Sequence, residues 1–290
     1  MKKNNKSILI LVTLIFILIS FLVNVELVIN NIINYTNIFF NKLFPVSFIT
    51  YLIVYMLIEY GLVQFINKYL KITSCNIFLF ILSFISGFPS GAKYSKLLYD
   101  KNLIRKEDIN SLIKFTHFPN LLFLFGAVRE IINDLNLTFY LFLAILLSNC
   151  SVMLFSKKTR INIDSNIIYN SFSKVLGSSV IYSFKTLLLI YGTSLFFYLI
   201  SSVIFIDNLY LNVLFNGIFD LTNGIVSSGL INNTFIRCIF ILIFLSFGSI
   251  SIHMQVNEIL NDKYIYFSYL KGRIICCIIS IFIFSLLFFY

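Results

Sequence analysis

Predominantly apolar stretches recur along the whole chain, and five are long enough to cross a bilayer: residues 7–28, 45–66, 137–155, 186–206 and 272–290. A spanning helix needs ~20 mostly apolar residues, so each is read as one. Residues 30–44 (NNIINYTNIFFNKLF) mix Asn with bulky apolar side chains, the pattern of an amphipathic helix lying in the membrane interface. Four more apolar stretches are interrupted near their middles by residues that break a helix. Residues 77–98 contain Gly87, Phe88, Pro89, Ser90 and Gly91, and residues 109–132 contain His117, Phe118, Pro119 and Asn120. Residues 209–230 contain Asn216, Gly217, Asp220, Thr222, Asn223 and Gly224, and residues 234–260 contain Gly248, Ser249, Ser251, His253 and Gln255.

Basic residues predict how these elements are threaded, because Lys and Arg collect in short cytoplasmic loops. With Lys2, Lys3 and Lys6 inside, the first two spans return the chain to the cytoplasm at Lys68 and Lys71. The stretch around Pro89 then leads to Lys101, Arg105 and Lys106, also inside, so residues 77–98 read as a re-entrant hairpin. The 109–132 stretch crosses outward and 137–155 crosses back to Lys157, Lys158 and Arg160. From Lys174 and Lys185 the chain crosses to Asp207, and residues 209–230 form a second hairpin entered from outside. The 234–260 stretch recrosses to Lys263, and the last span runs from Lys271 and Arg273 to an outer C-terminus. Of 22 Lys and Arg, only Lys42, Arg129 and Arg237 fall outside under this scheme.

The expected fold is therefore all-α and polytopic, with about seven spanning helices, two re-entrant hairpins and two broken helices in an inverted-topology repeat. Residues 45–155 form one unit and 182–290 the other. A membrane anchor and interfacial helix (1–44) precede them, and a basic cytoplasmic link with an amphipathic helix (156–181) joins them. The first span sits behind a basic start like a signal peptide, but Asn24, Val25 and Glu26 follow it without a small-x-small cleavage pattern, so it is expected to be retained.

Composition agrees with lipid as the solvent. Hydrophobic residues make up 59% and charged residues 12%, with a mean hydropathy of +0.93, whereas a soluble domain carries about a quarter charged residues. The net charge of +10 sits in short loops and forms no stripe with base-stacking aromatics, so nucleic acid is not an expected partner. Cys75, Cys150, Cys238, Cys276 and Cys277 are odd in number and scattered, which supports neither a disulfide framework nor a metal knuckle. No HExxH, GxSxG, paired-Asp or Walker pattern occurs, so neither an enzyme nor a cofactor is expected.

Chemistry is expected at the breaks. Unpaired backbone in hydrocarbon costs several kcal/mol, so non-helical segments survive only where protein or trapped water satisfies them. Gly87, Pro89, Gly91, Pro119, Gly224 and Gly248 are the expected break positions. Half-helix N-termini there present free N–H groups to a solute. Asp220 lies near the middle of an apolar segment, where an acidic side chain costs ~2.5–3.5 kcal/mol. It reads either as a solute or cation ligand or proton carrier, or as a cap for the hairpin tip. Asn120, Ser251, Ser90, Thr222, Asn223, Ser249 and Gln255 are the other candidate solute contacts; helix-to-helix hydrogen bonding is the alternative. His117 is read as a titratable group or as glue for the backbone freed by Pro119, and His253 as part of a polar lining with Ser249, Ser251 and Gln255 or as a helix-to-helix hydrogen bonder. Lys93, just past the first tip, is read as an anion contact or, like Lys185, as reaching the cytoplasmic surface along its alkyl stem.

Three segments carry a family resemblance: SGFPSGAKYSKLLYDKNLIRKEDINSLIKFTHFPNLLFLFGAV (86–128), GIFDLTNGIVSSG (217–229) and LSFGSISIHMQVNEIL (245–260). With residues 43–63, they resemble the sporulation integral membrane proteins of the YlbJ type, which carry nucleoside-recognition, or Gate, domains. That family is similar in layout to concentrative nucleoside transporters. The resemblance implies a role in spore formation, a transporter-like fold, and other sporulation membrane proteins or further copies of the chain as partners. It departs from the transporters at the first tip, where only Pro89, Ser90 and Gly91 stand in place of acidic groups, and at the second, where Asp220 replaces Glu. The expected function is binding or moving a small polar solute, with a cation as possible coupling partner, across the cell membrane; the alternative is a non-transporting scaffold for spore-envelope assembly.

Overall fold

The computed structural model describes residues 2–70, 74–162 and 170–290. Among them, regular structure is helical throughout, apart from an isolated bridge between Ser74 and Arg160. Six helices among the described residues are long and apolar enough to cross a membrane.

Helix α1 (Lys2–Val23) is apolar beyond its basic start, and none of its residues 6–23 is buried, although it touches α2 and α11. Helix α2 (Val25–Ile38) passes through a π turn (Phe39–Leu43) into α3 (Phe44–Glu59), making one apolar rod of 35 residues. The π turn falls just before Pro45, whose ring and missing N–H prevent an ordinary α turn from continuing. The interfacial helix expected at 30–44 is thus part of this rod. Its Tyr35 and Phe39 are buried in protein, against Tyr198 and Tyr191. The rod ends at Gly61, whose positive φ of 80° splits the expected 45–66 span, and α4 (Leu62–Leu70) follows.

The next elements are α5 (Cys75–Ser86), α6 (Ser90–Asp100), α7 (Lys106–Leu112), the short α8 (Leu121–Phe123), a π turn (Leu124–Val128), α9 (Arg129–Ile132) and α10 (Leu135–Phe155). Residues 113–120 between α7 and α8 are not helical. Helix α11 (Phe172–Val203) runs without a break across residues 181 and 182, where a unit boundary was expected, so the amphipathic helix of the link is its first turns. Residues 163–169 of that link, and Lys71, lie outside the described residues. Helices α12 (Leu209–Phe219) and α13 (Leu221–Ser228) meet at Asp220; α14 (Thr234–Phe247) and α15 (Ile250–Leu260) meet at Gly248 and Ser249. Helix α16 (Lys263–Phe289) starts at Lys263 rather than at residue 272. All four interrupted stretches are therefore broken close to their Gly, Pro or Asp residues.

Contacts sort the connections into two ends. At one end, the Ser74–Arg160 bridge, the Asn162 N–H donating to the Leu103 carbonyl (2.8 Å) and the Asn76 amide donating to the Lys157 carbonyl (3.1 Å) tie both roots of the α5–α6 pair to residues 157–162. Lys101–Glu59 and Lys106–Asp262 ion pairs, both 2.7 Å, close the same end. At the other end, Lys42 pairs with Glu130 at 3.3 Å, and Arg237 donates to the carbonyls of Ile131 and Ile231. The three basic residues that broke the loop-charge pattern, Lys42, Arg129 and Arg237, thus belong to one neighbourhood. Between the ends, α10 and α16 pack side by side; a Cβ on Gly272 would stand 2.5 Å from the Lys114 carbonyl, so only glycine lets α16 touch unwound backbone there.

Candidate functional site

The site is built from four interruptions, each with its own local cause. Helix α5 ends at Gly87, whose φ of +73° favours glycine and whose imagined Cβ would lie 2.8 Å from the Asn120 nitrogen. At Gly91 a Cβ would lie 2.2 Å from the Thr116 carbonyl oxygen. The two glycines let the first tip lie directly on the unwound 116–120 segment, where the Phe88 N–H donates to the Phe118 carbonyl at 2.7 Å. Unwound backbone on one side thereby satisfies unwound backbone on the other.

The second tip closes differently. Gly217 and Gly224 face each other so tightly that a Cβ on Gly224 would fall 2.2 Å from the Gly217 Cα, which draws α12 and α13 into a narrow hairpin. Asp220 stands between them in extended conformation, 1% exposed. Its Oδ1 accepts the N–H groups of Thr222 (2.9 Å) and Asn223 (3.1 Å), an N-cap on α13. Oδ2 takes no part in the cap; the Ser251 hydroxyl donates to it at 3.4 Å.

Ser251 comes from the fourth interruption. Gly248 (φ +93°) ends α14, the Ser249 and Ser251 hydroxyls bond at 2.7 Å, and α15 then carries Gln255 inward. The Gln255 amide donates to Thr193 (2.9 Å) and Ser194 (3.0 Å) of α11, which fixes its height against that helix. Asn120, from the second interruption, caps α8 by accepting the Leu122 N–H at 2.9 Å, while its Nδ2 is buried and has no partner among the described residues.

These groups surround one cavity of ≈ 60 Å³. Asp220, Thr222, Ser251, Gln255 and Asn120 line it, together with Phe88 from the first tip and Tyr35, Phe39 and Phe123. Both hairpin tips and both helix breaks therefore meet at a single place. Drug-sized ligand pockets run to about 300–1,000 Å³, so the cavity in this conformation holds only a small group. A cleft of ≈ 310 Å³, lined by Lys42, Glu130 and Gly126, shares the Phe123 side chain with it as a wall.

Of the residues predicted from sequence, Ser90, Asn223 and Ser249 do not line the cavity. The Ser90 hydroxyl is buried and has no partner among the described residues; the Asn223 amide donates to Ser201 at 2.7 Å; Ser249 is spent on Ser251. His117 and His253 sit beside the breaks: the Tyr269 hydroxyl bonds His117 Nδ1 at 2.9 Å, and the Tyr266 hydroxyl bonds His253 Nδ1 at 3.0 Å. The His117 ring also stacks on Phe88, with centroids 4.8 Å apart.

Sequence reasoning missed Tyr35, Phe39 and Phe123 on the cavity wall, and above all Arg273. That side chain was assigned to the cytoplasmic flank of the last span, yet it is 0% exposed. Its guanidinium donates to the Ser246 carbonyl (3.3 Å), the Lys114 carbonyl and Asn149 Oδ1 (3.1 Å). The Asn149 amide in turn donates to the His117 carbonyl at 3.1 Å. Arg273 thus clasps the end of α14 to the unwound 113–120 segment, serving carbonyls that helix breakage left without donors. The available signal was its position: α16 begins at Lys263, so Arg273 lies ten residues, about 15 Å, inside a helix.

Comparison of the chain with family models, curated proteins and solved structures gave no match, so the residues around this cavity carry the functional reading themselves.

Proposed function

We propose that the chain is a multi-pass, transporter-like membrane protein that binds a small polar solute where its two hairpin tips meet, and moves it by alternating access. The observation that carries this reading is the convergence of four helix interruptions on one cavity lined by a buried carboxylate. Interrupting four membrane helices is costly, and such breaks recur where a solute must meet backbone and side-chain dipoles in mid-membrane. Asp220, Asn120 and Ser251 are the assigned contacts.

In this reading both hairpins are re-entrant, the first from the cytoplasm and the second from outside, which makes the two halves an inverted repeat. Support comes from the α5–α6 roots, both tied to residues 157–162, and from the Arg237 cluster at the opposite end beside the root of α13. The N-terminus is then cytoplasmic and the C-terminus outside. The resemblance of residues 86–128 and 245–260 to sporulation integral membrane proteins supports a role in spore formation. The test is a thermal-shift and flux screen of purified, reconstituted protein against nucleosides, sugars, peptidoglycan precursors and divalent cations. A saturable ligand lost in Asp220→Asn supports the reading; a folded protein that binds and passes none of them ends it.

One observation favours a scaffold instead. Helix α1 touches α2 and α11 yet keeps most of its apolar surface exposed, as a helix reserved for another membrane protein would. A scaffold tolerates Asp220→Asn without loss of sporulation at unchanged protein level, whereas a transporter does not.

A further inference from the structure

We propose that the ligand of the cavity is a small ammonium compound, with the charged nitrogen at Asp220 Oδ2 and an acceptor oxygen at Asn120 Nδ2. This rests on the cavity being a binding site and names the chemical class it takes.

The sign of the charge comes first. The chain carries 22 Lys and Arg against 12 Asp and Glu, yet the cavity lining contains Asp220 and no Lys, Arg or His. Among the described residues no basic side chain reaches Asp220 within ion-pair distance. A carboxylate buried without a cationic partner is strongly unfavourable, and its cap occupies only Oδ1. A cation at Oδ2 removes that cost.

The lining then selects the kind of cation. Tyr35, Phe39, Phe88 and Phe123 supply aromatic rings, and ring faces attract organic ammonium groups as well as metal ions. A hard metal ion takes about six or more oxygen ligands, and much of this wall is aliphatic, with Leu187, Ile190 and Ile252. Nor do three His, Cys, Asp or Glu gather anywhere among the described residues, as a softer metal would require. An ammonium group needs only three acceptors on one side and tolerates apolar wall on the other. Size and polarity add the rest. At ~10–15 Å³ per water-sized group, ≈ 60 Å³ holds on the order of four to six heavy atoms. Asn120 Nδ2, a donor with nothing to donate to, calls for an oxygen on the same molecule. A short amino alcohol meets both demands.

The experiment uses the purified full chain in detergent, at an ionic strength held constant across the series. Ethanolamine, ethylammonium and methylammonium are titrated beside Na⁺, K⁺ and the uncharged isostere ethylene glycol, with thermal shift and equilibrium dialysis of labelled ethanolamine as readouts. Saturable one-to-one binding of ethanolamine is expected, weaker for ethylammonium, absent for ethylene glycol, and reduced at least about tenfold by Asp220→Asn and by Ser251→Ala. Asn120→Ala should narrow the preference for ethanolamine over ethylammonium. Dialysis on the unmodified chain decides the matter even if a variant fails to fold. No saturable ammonium binding, binding of Na⁺ or K⁺ alone, or ammonium binding unchanged in both folded variants overturns the proposal. A solute from the wider screen binding while all ammonium compounds fail removes this inference and leaves the transporter reading standing. Ammonium binding without flux does the reverse.

Discussion

At the first hairpin tip two glycines bring backbone onto backbone: Gly87 rests on Asn120 and Gly91 on Thr116, and only the Phe88 ring reaches the cavity. At the second tip the glycines close the hairpin on itself, Gly217 on Gly224, and a carboxylate does the capping with one oxygen while the other faces Ser251. One element docks and the other presents chemistry. The difference follows from what each tip must satisfy. The first faces a stretch of unwound chain that needs hydrogen bonds, and the second faces an α-helical N-terminus, α13, that needs an anion.

The strongest way to break the comparison is to add one methyl group. In Gly91→Ala the new Cβ meets the Thr116 carbonyl at 2.2 Å, a backbone atom that no rotamer change can move. The first tip must lift, and a loss of about 3 kcal/mol or more is expected, read as a large fall in Tm in detergent. Gly224→Ala should cost as much by prising α12 from α13. Gly126→Ala has nothing within 4 Å and serves as the neutral control.

Next in size is Arg273→Met, which attacks the platform both tips depend on. It leaves the Ser246 carbonyl without the Arg273 donor, and the Lys114 carbonyl and Asn149 Oδ1 with only the weak Cys276 thiol, at ~1–3 kcal/mol per orphaned group, partly offset because a cation need no longer be buried. A net loss of about 3 kcal/mol is expected by thermal unfolding. Arg273→Lys should recover only part of it, because one ammonium cannot reach acceptors that a planar fork spans.

Spans and breaks were legible because hydropathy and Gly or Pro act through local backbone physics. The 86–91 and 216–224 segments announce their turns in their own residues, and Asp220, Asn120, Ser251, Thr222 and Gln255 follow as polar groups adjacent to breaks. What stayed hidden depends on a partner far along the chain. Tyr35 and Phe39 looked interfacial because the Tyr191 and Tyr198 rings that bury them lie on α11. Arg273 looked like a loop charge because the carbonyls that receive it belong to breaks at 113–120 and 248. Ser90 was overvalued for the converse reason: a polar residue at a tip lines a cavity only if the tip points it there.

A smaller perturbation sharpens the same contrast. Asp220→Asn keeps an oxygen that can accept the Thr222 and Asn223 N–H groups, so stability should change by less than ~1 kcal/mol while ligand binding is lost. Asp220→Ala loses the cap as well, at about 1 kcal/mol. Ser90→Ala at the other tip removes a hydroxyl without a partner among the described residues, and both stability and binding should stay as they are. Binding lost through Ser90 but kept through Asp220 would invert the assignment of the two tips.

The smallest expected effect distinguishes the hairpins at their roots. The first is anchored by ion pairs, Lys101–Glu59 and Lys106–Asp262, and the second by Arg237 on the carbonyls of Ile131 and Ile231. Carbonyls do not titrate, so the Arg237 contacts at the second root should not respond to pH. Hydrogen bonding from Lys106 and from the Ile265 and Tyr264 N–H groups holds the Asp262 carboxyl below its ordinary value, and Asp262 raises the Lys106 ammonium above its own. The Asp262 contribution is therefore whole above the unfolded carboxyl pKa of about 3.9 and fades as pH falls through its depressed folded value. The Lys106 contribution is whole below the unfolded ammonium pKa of about 10.4 and fades as pH rises through its raised one. Because Lys106 is exposed and Asp262 only partly covered, the change should be slight. After correction for intrinsic chemistry, amide hydrogen exchange at residues 101–112 should quicken as the medium is acidified from pH 5 to pH 3 (about one unit either side of 3.9), while exchange at 229–237 stays level. Asp262→Asn at neutral pH should reproduce the quickening. Equal acid sensitivity at both roots would mean that the ion pairs hold neither hairpin, and the contrast would then rest on the tips alone.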